Sequence, residues 1–68
     1  MNKPGDLVLW IGNYPGAMTT NGLYNVSRSV IEDGGQRATY VICNNGRELG
    51  VYDWGKLFIN ITELLKED

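Results

Sequence analysis

Tyr40–Trp54, YVICNNGRELGVYDW, decides how this chain reads. Two apolar runs, YVIC and ELGVYDW, flank Asn44-Asn45-Gly46-Arg47. Asn-Gly between such runs is the strongest short-range hairpin signal, because a tight turn that follows strand twist needs positive φ at its centre. A central β-hairpin is therefore the starting point.

The neighbouring segments add strands on both sides. Leu7–Ile11, LVLWI, is apolar at every position, where a half-exposed strand would alternate. Val8 and Trp10 are assigned to the core. The other face, with Leu7, Leu9 and Ile11, either lies under a loop or chain end or meets a partner, including a second copy of the chain. Leu23–Glu32 alternates, with Tyr24 and Val26 on the apolar face. Arg28 falls where that face should continue, which marks either a bulge or a strand outrunning the core. Asp33-Gly34-Gly35 turns the chain into a third strand, Gln36–Cys43. Glu48–Tyr52 is the fourth strand and Leu57–Ile61 the fifth. Asp53-Trp54-Gly55-Lys56 is expected to form one helical turn with Asp53 as its cap. Residues 62–68 are expected to be a frayed helical turn, with Leu64 and Leu65 available to cover the first strand.

Gly12–Gly22, GNYPGAMTTNG, is a long first loop with a β-turn over Tyr14-Pro15-Gly16-Ala17. Loops carry function more often than cores do. Its apolar residues, Tyr14 and Met18, either fold back on the barrel or face a partner.

At 68 residues the chain reads as one domain, 1–68. A core this small supplies about 3–5 kcal/mol, and the usual staples are missing. Cys43 is the only cysteine and there is no histidine, so no intrachain disulfide or zinc site can form. No cofactor is called for. The net charge is −2, and no two of Lys3, Arg28, Arg37, Arg47, Lys56 and Lys66 are adjacent. That is poor material for displacing counterions from phosphate, so nucleic acid is not the expected partner. The start, MNKPGD, lacks the apolar core of a signal peptide, and Leu7–Ile11 is far too short to span a bilayer. With a lone unpaired cysteine, this points to a cytoplasmic protein and no membrane association.

No residue set points to catalysis. Cys43 lies in an apolar strand with no histidine to activate it, and reads as an inert buried thiol. Glu48 with Asp53, and Glu32 with Asp33, read as solubilising or capping carboxylates. Asp33-Gly34-Gly35 joins two strands, so it is not a phosphate-cradling loop.

Five short strands, a long first loop and a helical turn before the last strand describe an all-β, five-stranded SH3-like barrel. The sequence also resembles a loose group of small phage and prophage proteins with that fold. The resemblance runs through Pro4-Gly5-Asp6 with Val8, Gly22-Leu23-Tyr24-Asn25-Val26, Tyr40–Gly46, and Tyr52-Asp53-Trp54 leading to Phe58. Asn45 stands where that group commonly has an acidic residue. The resemblance covers Pro4–Phe58 and carries over no catalytic residues. It implies an accessory or host-directed binding protein, docking on a host or viral protein in the bacterial cytoplasm as a phage product. Barrels of this kind commonly bind through aromatics near the first loop, the hairpin and the helical turn. The corresponding residues are Tyr14, Tyr52 and Trp54, with Trp10 as a possible floor; Met18 on the first loop and Arg47 at the hairpin tip are further candidate contacts. Two other readings stay open: a KOW- or Tudor-like nucleic-acid module, and a self-assembling component that dimerises through Leu7, Leu9 and Ile11.

Overall fold

The computed structural model describes residues 2–66. Its five strands are β1 (Leu7–Trp10), β2 (Leu23–Ile31), β3 (Arg37–Ile42), β4 (Glu48–Tyr52) and β5 (Phe58–Asn60). All neighbours are antiparallel, in the order β4-β3-β2-β1-β5. A short α-helix, α1 (Ile61–Leu65), follows directly on β5. This is the expected all-β SH3-like arrangement, with the long loop between β1 and β2 and a 3-10 turn at Asp53–Gly55 before the last strand.

β2 is the strand on which the barrel turns. Leu23–Asn25 pair with β1, whereas Val26–Ile31 pair with β3. The register shifts between Val26 and Arg28, where Val26 faces Val41 and Arg28 faces Tyr40. Ser27 is the extra residue. The bulge lets Tyr24 and Val26 point into the core and sends Arg28 to the outer face, so it resolves the break in the apolar pattern. The core holds Val8, Trp10, Met18, Tyr24, Val26, Val41 and Cys43, with Leu49, Val51, Leu57 and Phe58 packed against it. Trp10 and Phe58 meet as a tilted aromatic pair at 5.3 Å.

On the outer face, Tyr40 lies across the strand opposite, where Gly50 has no side chain. A Cβ on Gly50 would stand 2.5 Å from the Tyr40 ring. Two contacts hold the ring there. The Arg28 guanidinium sits 4.1 Å above it. The Tyr40 hydroxyl donates to Glu32 Oε1 at 3.0 Å. Arg28 is in turn ion-paired with Glu48 at 3.0 Å.

The hairpin forms at Asn44-Asn45-Gly46-Arg47 as expected. Cys43 N–H donates to Arg47 O and Gly46 N–H to Cys43 O, closing a three-residue loop in which Gly46 alone has positive φ, at 82°. Asn45 uses its side chain to accept from Arg47 N–H. Three other local expectations need correction. Asp53 does not cap the 3-10 turn. Its carboxylate accepts from the buried Thr39 hydroxyl at 2.6 Å, tying that turn to β3. The C-terminal turn is a capped helix, with Asn60 Oδ1 accepting from Glu63 N–H at 2.8 Å. Residues 67 and 68 of the expected tail lie outside the described residues. Finally, Leu64 and Leu65 are exposed and do not cover β1. The helix reaches β1 through Thr62, whose hydroxyl oxygen accepts from Leu7 N–H at 2.8 Å.

Candidate functional site

A groove of about 410 Å³ runs between the β4 edge, the first loop and the 3-10 turn. Leu49–Tyr52 line one side. Asn13 and Tyr14, then Trp54, Gly55 and Leu57, line the other, and Trp10 lies among them. Three of the expected site residues are brought together here from separate parts of the sequence. Trp54 is 74% exposed, Tyr14 49% and Tyr52 45%. Trp10 is 3% exposed, so it is both core and floor, and its indole N–H has no acceptor among the described residues.

The other two expected site residues are placed elsewhere. Met18 is 3% exposed and belongs to the core cluster, so its assignment to a binding surface is wrong. The β-turn before it explains the burial. Ala17 and Met18 N–H both reach Tyr14 O, at 3.4 and 3.0 Å, and Gly16 takes φ 94°. That turn points Met18 under the loop while Tyr14 stays out. Arg47 is exposed at the hairpin tip and does not line the groove.

The loop carrying Tyr14 is fixed by a residue that sequence reasoning treated only as turn chemistry. Asn44 N–H donates to Ala17 O at 2.9 Å, and its side-chain amide donates to Thr19 Oγ1 at 2.9 Å. Its side-chain oxygen accepts from the Tyr24 hydroxyl at 2.9 Å, and that hydroxyl accepts from Thr19 N–H at 2.7 Å. The hairpin tip thus clamps the first loop. The Trp54 turn is clamped likewise: Asn2 donates to Thr39 Oγ1 at 2.9 Å and Thr39 to Asp53. Both groove walls are held by hydrogen bonds from the barrel body, which fix the loop carrying Tyr14 and the turn carrying Trp54.

A second cleft of about 400 Å³ lies beyond Tyr52, lined by Asn2, Asp53, Lys56 and Leu57–Ile59. The two share Tyr52 and Leu57, and together they mark the seam where β4 and β5 do not pair.

Three titratable groups, Cys43, Glu48 and Asp6, are engaged in the structure. Burial pushes the Cys43 thiol up, away from thiolate. Ser27 and then Arg28 hold Glu48 below the usual carboxylate range. The Asn60 amide, chiefly, lowers the buried Asp6 carboxylate. No three His, Cys, Asp or Glu side chains gather to hold a metal among the described residues. No helix among them is long and apolar enough to cross a membrane.

Of the three residues expected at a dimer contact, Leu7 and Leu9 are half-buried and Ile11 is exposed. The register adds two residues to that face. Leu9 stands opposite both Leu23 and Ile59, and both are exposed.

Comparison with known proteins finds no match to a family model, to a curated protein or to a solved structure.

Proposed function

We propose that the protein is a non-enzymatic protein-binding module that docks on another protein through the groove formed by Tyr14, Tyr52 and Trp54. One observation carries this reading: an indole 74% exposed on a turn tied to β3, beside two half-exposed tyrosines. Leaving a tryptophan in water on a fixed support costs hydrophobic free energy that contact with a partner recovers. Aromatic anchors of this kind dominate interface energetics. The groove lining is uncharged, which suits a protein surface better than phosphate. The sequence resemblance supports a phage-encoded accessory protein or inhibitor, acting by occupying a site on a host or viral protein in the cytoplasm.

Affinity capture from bacterial lysate with mass spectrometry, run on wild type and Trp54→Ala, tests it. A specific partner retained by wild type is expected to bind Trp54→Ala about 30-fold more weakly, from about 2 kcal/mol for a lost anchor. Circular dichroism should show both proteins equally folded. A partner held equally by both proteins refutes the groove.

A second reading is favoured by the apolar row Leu23, Leu9 and Ile59 across the outer face of β2, β1 and β5. On that reading the protein self-associates there. A strict monomer at high concentration in analytical ultracentrifugation rules it out.

A further inference from the structure

The strand order leaves β4 at a sheet end, unpaired with β5. The phase of its ladder says which backbone groups are left over. Cys43 N–H donates to Arg47 O at 2.7 Å, so Cys43 and Arg47 form a hydrogen-bonded pair. In an antiparallel ladder such pairs alternate with pairs that exchange no hydrogen bonds. In the observed register, Val41–Leu49 and Thr39–Val51 are then bonded pairs, whereas Ile42–Glu48, Tyr40–Gly50 and Ala38–Tyr52 are not. The N–H and C=O of Glu48 and Gly50, and the N–H of Tyr52, therefore point away from β3. No other described residue bonds to them. Of these residues, Gly50 and Tyr52 are part of the groove wall.

The side chains on this edge complete the picture. Period-2 alternation puts Arg47, Leu49 and Val51 on one side of the strand. Leu49 and Val51 line the groove; Arg47, two positions before Leu49 in the chain, lies outside its lining, exposed and without a carboxylate partner among the described residues. The edge carries no Pro or Lys to block pairing.

We infer that β4 is a receptor edge: an extended segment of the partner protein adds to it as a further strand, with apolar residues at alternate positions entering the groove over Trp10 and a carboxylate two positions beyond them meeting Arg47. This rests on the protein-binding reading above and specifies its mode. The backbone bonds supply affinity and the alternating side chains supply choice. Charge distinguishes this occupant from a second copy. The carboxylate that a second β4 would offer is Glu48, already committed to Arg28 and Ser27.

The test uses the full chain and a yeast-displayed library of random linear dodecapeptides as the probe. The expected consensus has apolar residues at i and i+2 and Asp or Glu at i+4. With the selected peptide at saturation, the Glu48, Gly50 and Tyr52 amides are expected to exchange about tenfold more slowly by NMR. Leu49 and Val51, bonded to β3 already, should change little. Arg47→Glu is expected to weaken the peptide about fivefold, and changing the peptide's acid to Lys should restore it. Saturated peptide with unchanged exchange at Gly50 and Tyr52 overturns the inference, as does a consensus without period two. If that peptide still loses affinity with Trp54→Ala, the groove stands and only the edge falls. If no peptide is enriched, both fall. Protection of these amides in the free protein that rises with its own concentration also overturns it, by making the occupant a second copy.

Discussion

Gly12→Ala tests whether the groove floor is as tightly set as the packing indicates. Gly12 is buried, and a methyl group added there would lie 2.5 Å from Trp10 Cζ2 and 2.7 Å from Cη2. Carbon atoms in contact prefer about 3.5–4.0 Å. The indole must therefore retreat by about 1 Å, either against Phe58 and the core or out toward the groove it floors, and either move breaks contacts of a nearly fully buried ring. Overpacking of this kind costs about 1–3 kcal/mol. Replacing Gly by Ala returns about 0.4–1 kcal/mol by restricting the unfolded chain. The net loss is about 1–2 kcal/mol, a large part of the stability of so small a core, and corresponds to a Tm lower by about 5–15 °C. Thermal and urea unfolding followed by circular dichroism measure it. Trp10→Phe removes the two atoms that the methyl strikes, so in that background Gly12→Ala should be neutral or stabilising. Sucrose in all samples keeps the cavity-bearing variants folded for the comparison. An unchanged or higher Tm for Gly12→Ala in the wild-type background refutes the reasoning.

Gly50→Ala should show the same sign reversal on the outer face. In wild type it displaces the Tyr40 ring from Arg28 and Glu32 and lowers Tm, while with Tyr40→Ala it is neutral or stabilising, a coupling of about 1 kcal/mol in a double-mutant cycle. Acid should destabilise the protein through Asp6 and Glu48, whose folded values both lie below their unfolded ones. Their contribution is full above the ordinary carboxylate value of about 4 and is lost as pH falls through the lower folded values. A Tm series from pH 7 to about pH 2 reads this, and Glu48→Gln should flatten part of the fall; a Tm independent of pH below about 4 contradicts it.

Much of the architecture was legible because it rests on local rules. Alternation located the strands, Val8 and Trp10 were read as core from an all-apolar run, and the misplaced Arg28 marked an irregularity, a bulge or the core's edge, that the register resolves as a bulge. The site was legible only in part. Tyr14, Tyr52 and Trp54 could be named as site candidates from where SH3-like barrels commonly bind, but Met18 was not recognisable as core. Its burial depends on a turn whose direction is set by long-range bonds from Asn44 to Ala17 and Thr19. A sequence shows that Asn44 suits a turn. It does not show that the same side chain closes a loop 25 residues away. Asn60 was hidden for a related reason: a cap is visible only beside a helix long enough to be predicted, and α1 spans five residues. Gly50 carried no signal at all, since its importance lies in the Tyr40 ring of the adjacent strand.

The same long-range bonds bear on function. A hairpin tip that only reversed the chain would tolerate many sequences. Here the tip also fixes the loop bearing Tyr14, through Asn44 and the Tyr24 hydroxyl, and Thr39 in the next strand fixes the turn bearing Trp54. Opposite groove walls therefore answer to one hairpin, β3–β4, whose outer strand is also the unpaired edge. On the proposed docking mode, aromatic side chains and free backbone groups belong to one frame, and a partner on the edge would meet Tyr14 and Trp54 together. In such a frame the two contributions reinforce each other. Loosening the frame at Asn44 should therefore weaken binding even though Asn44 lies outside the groove.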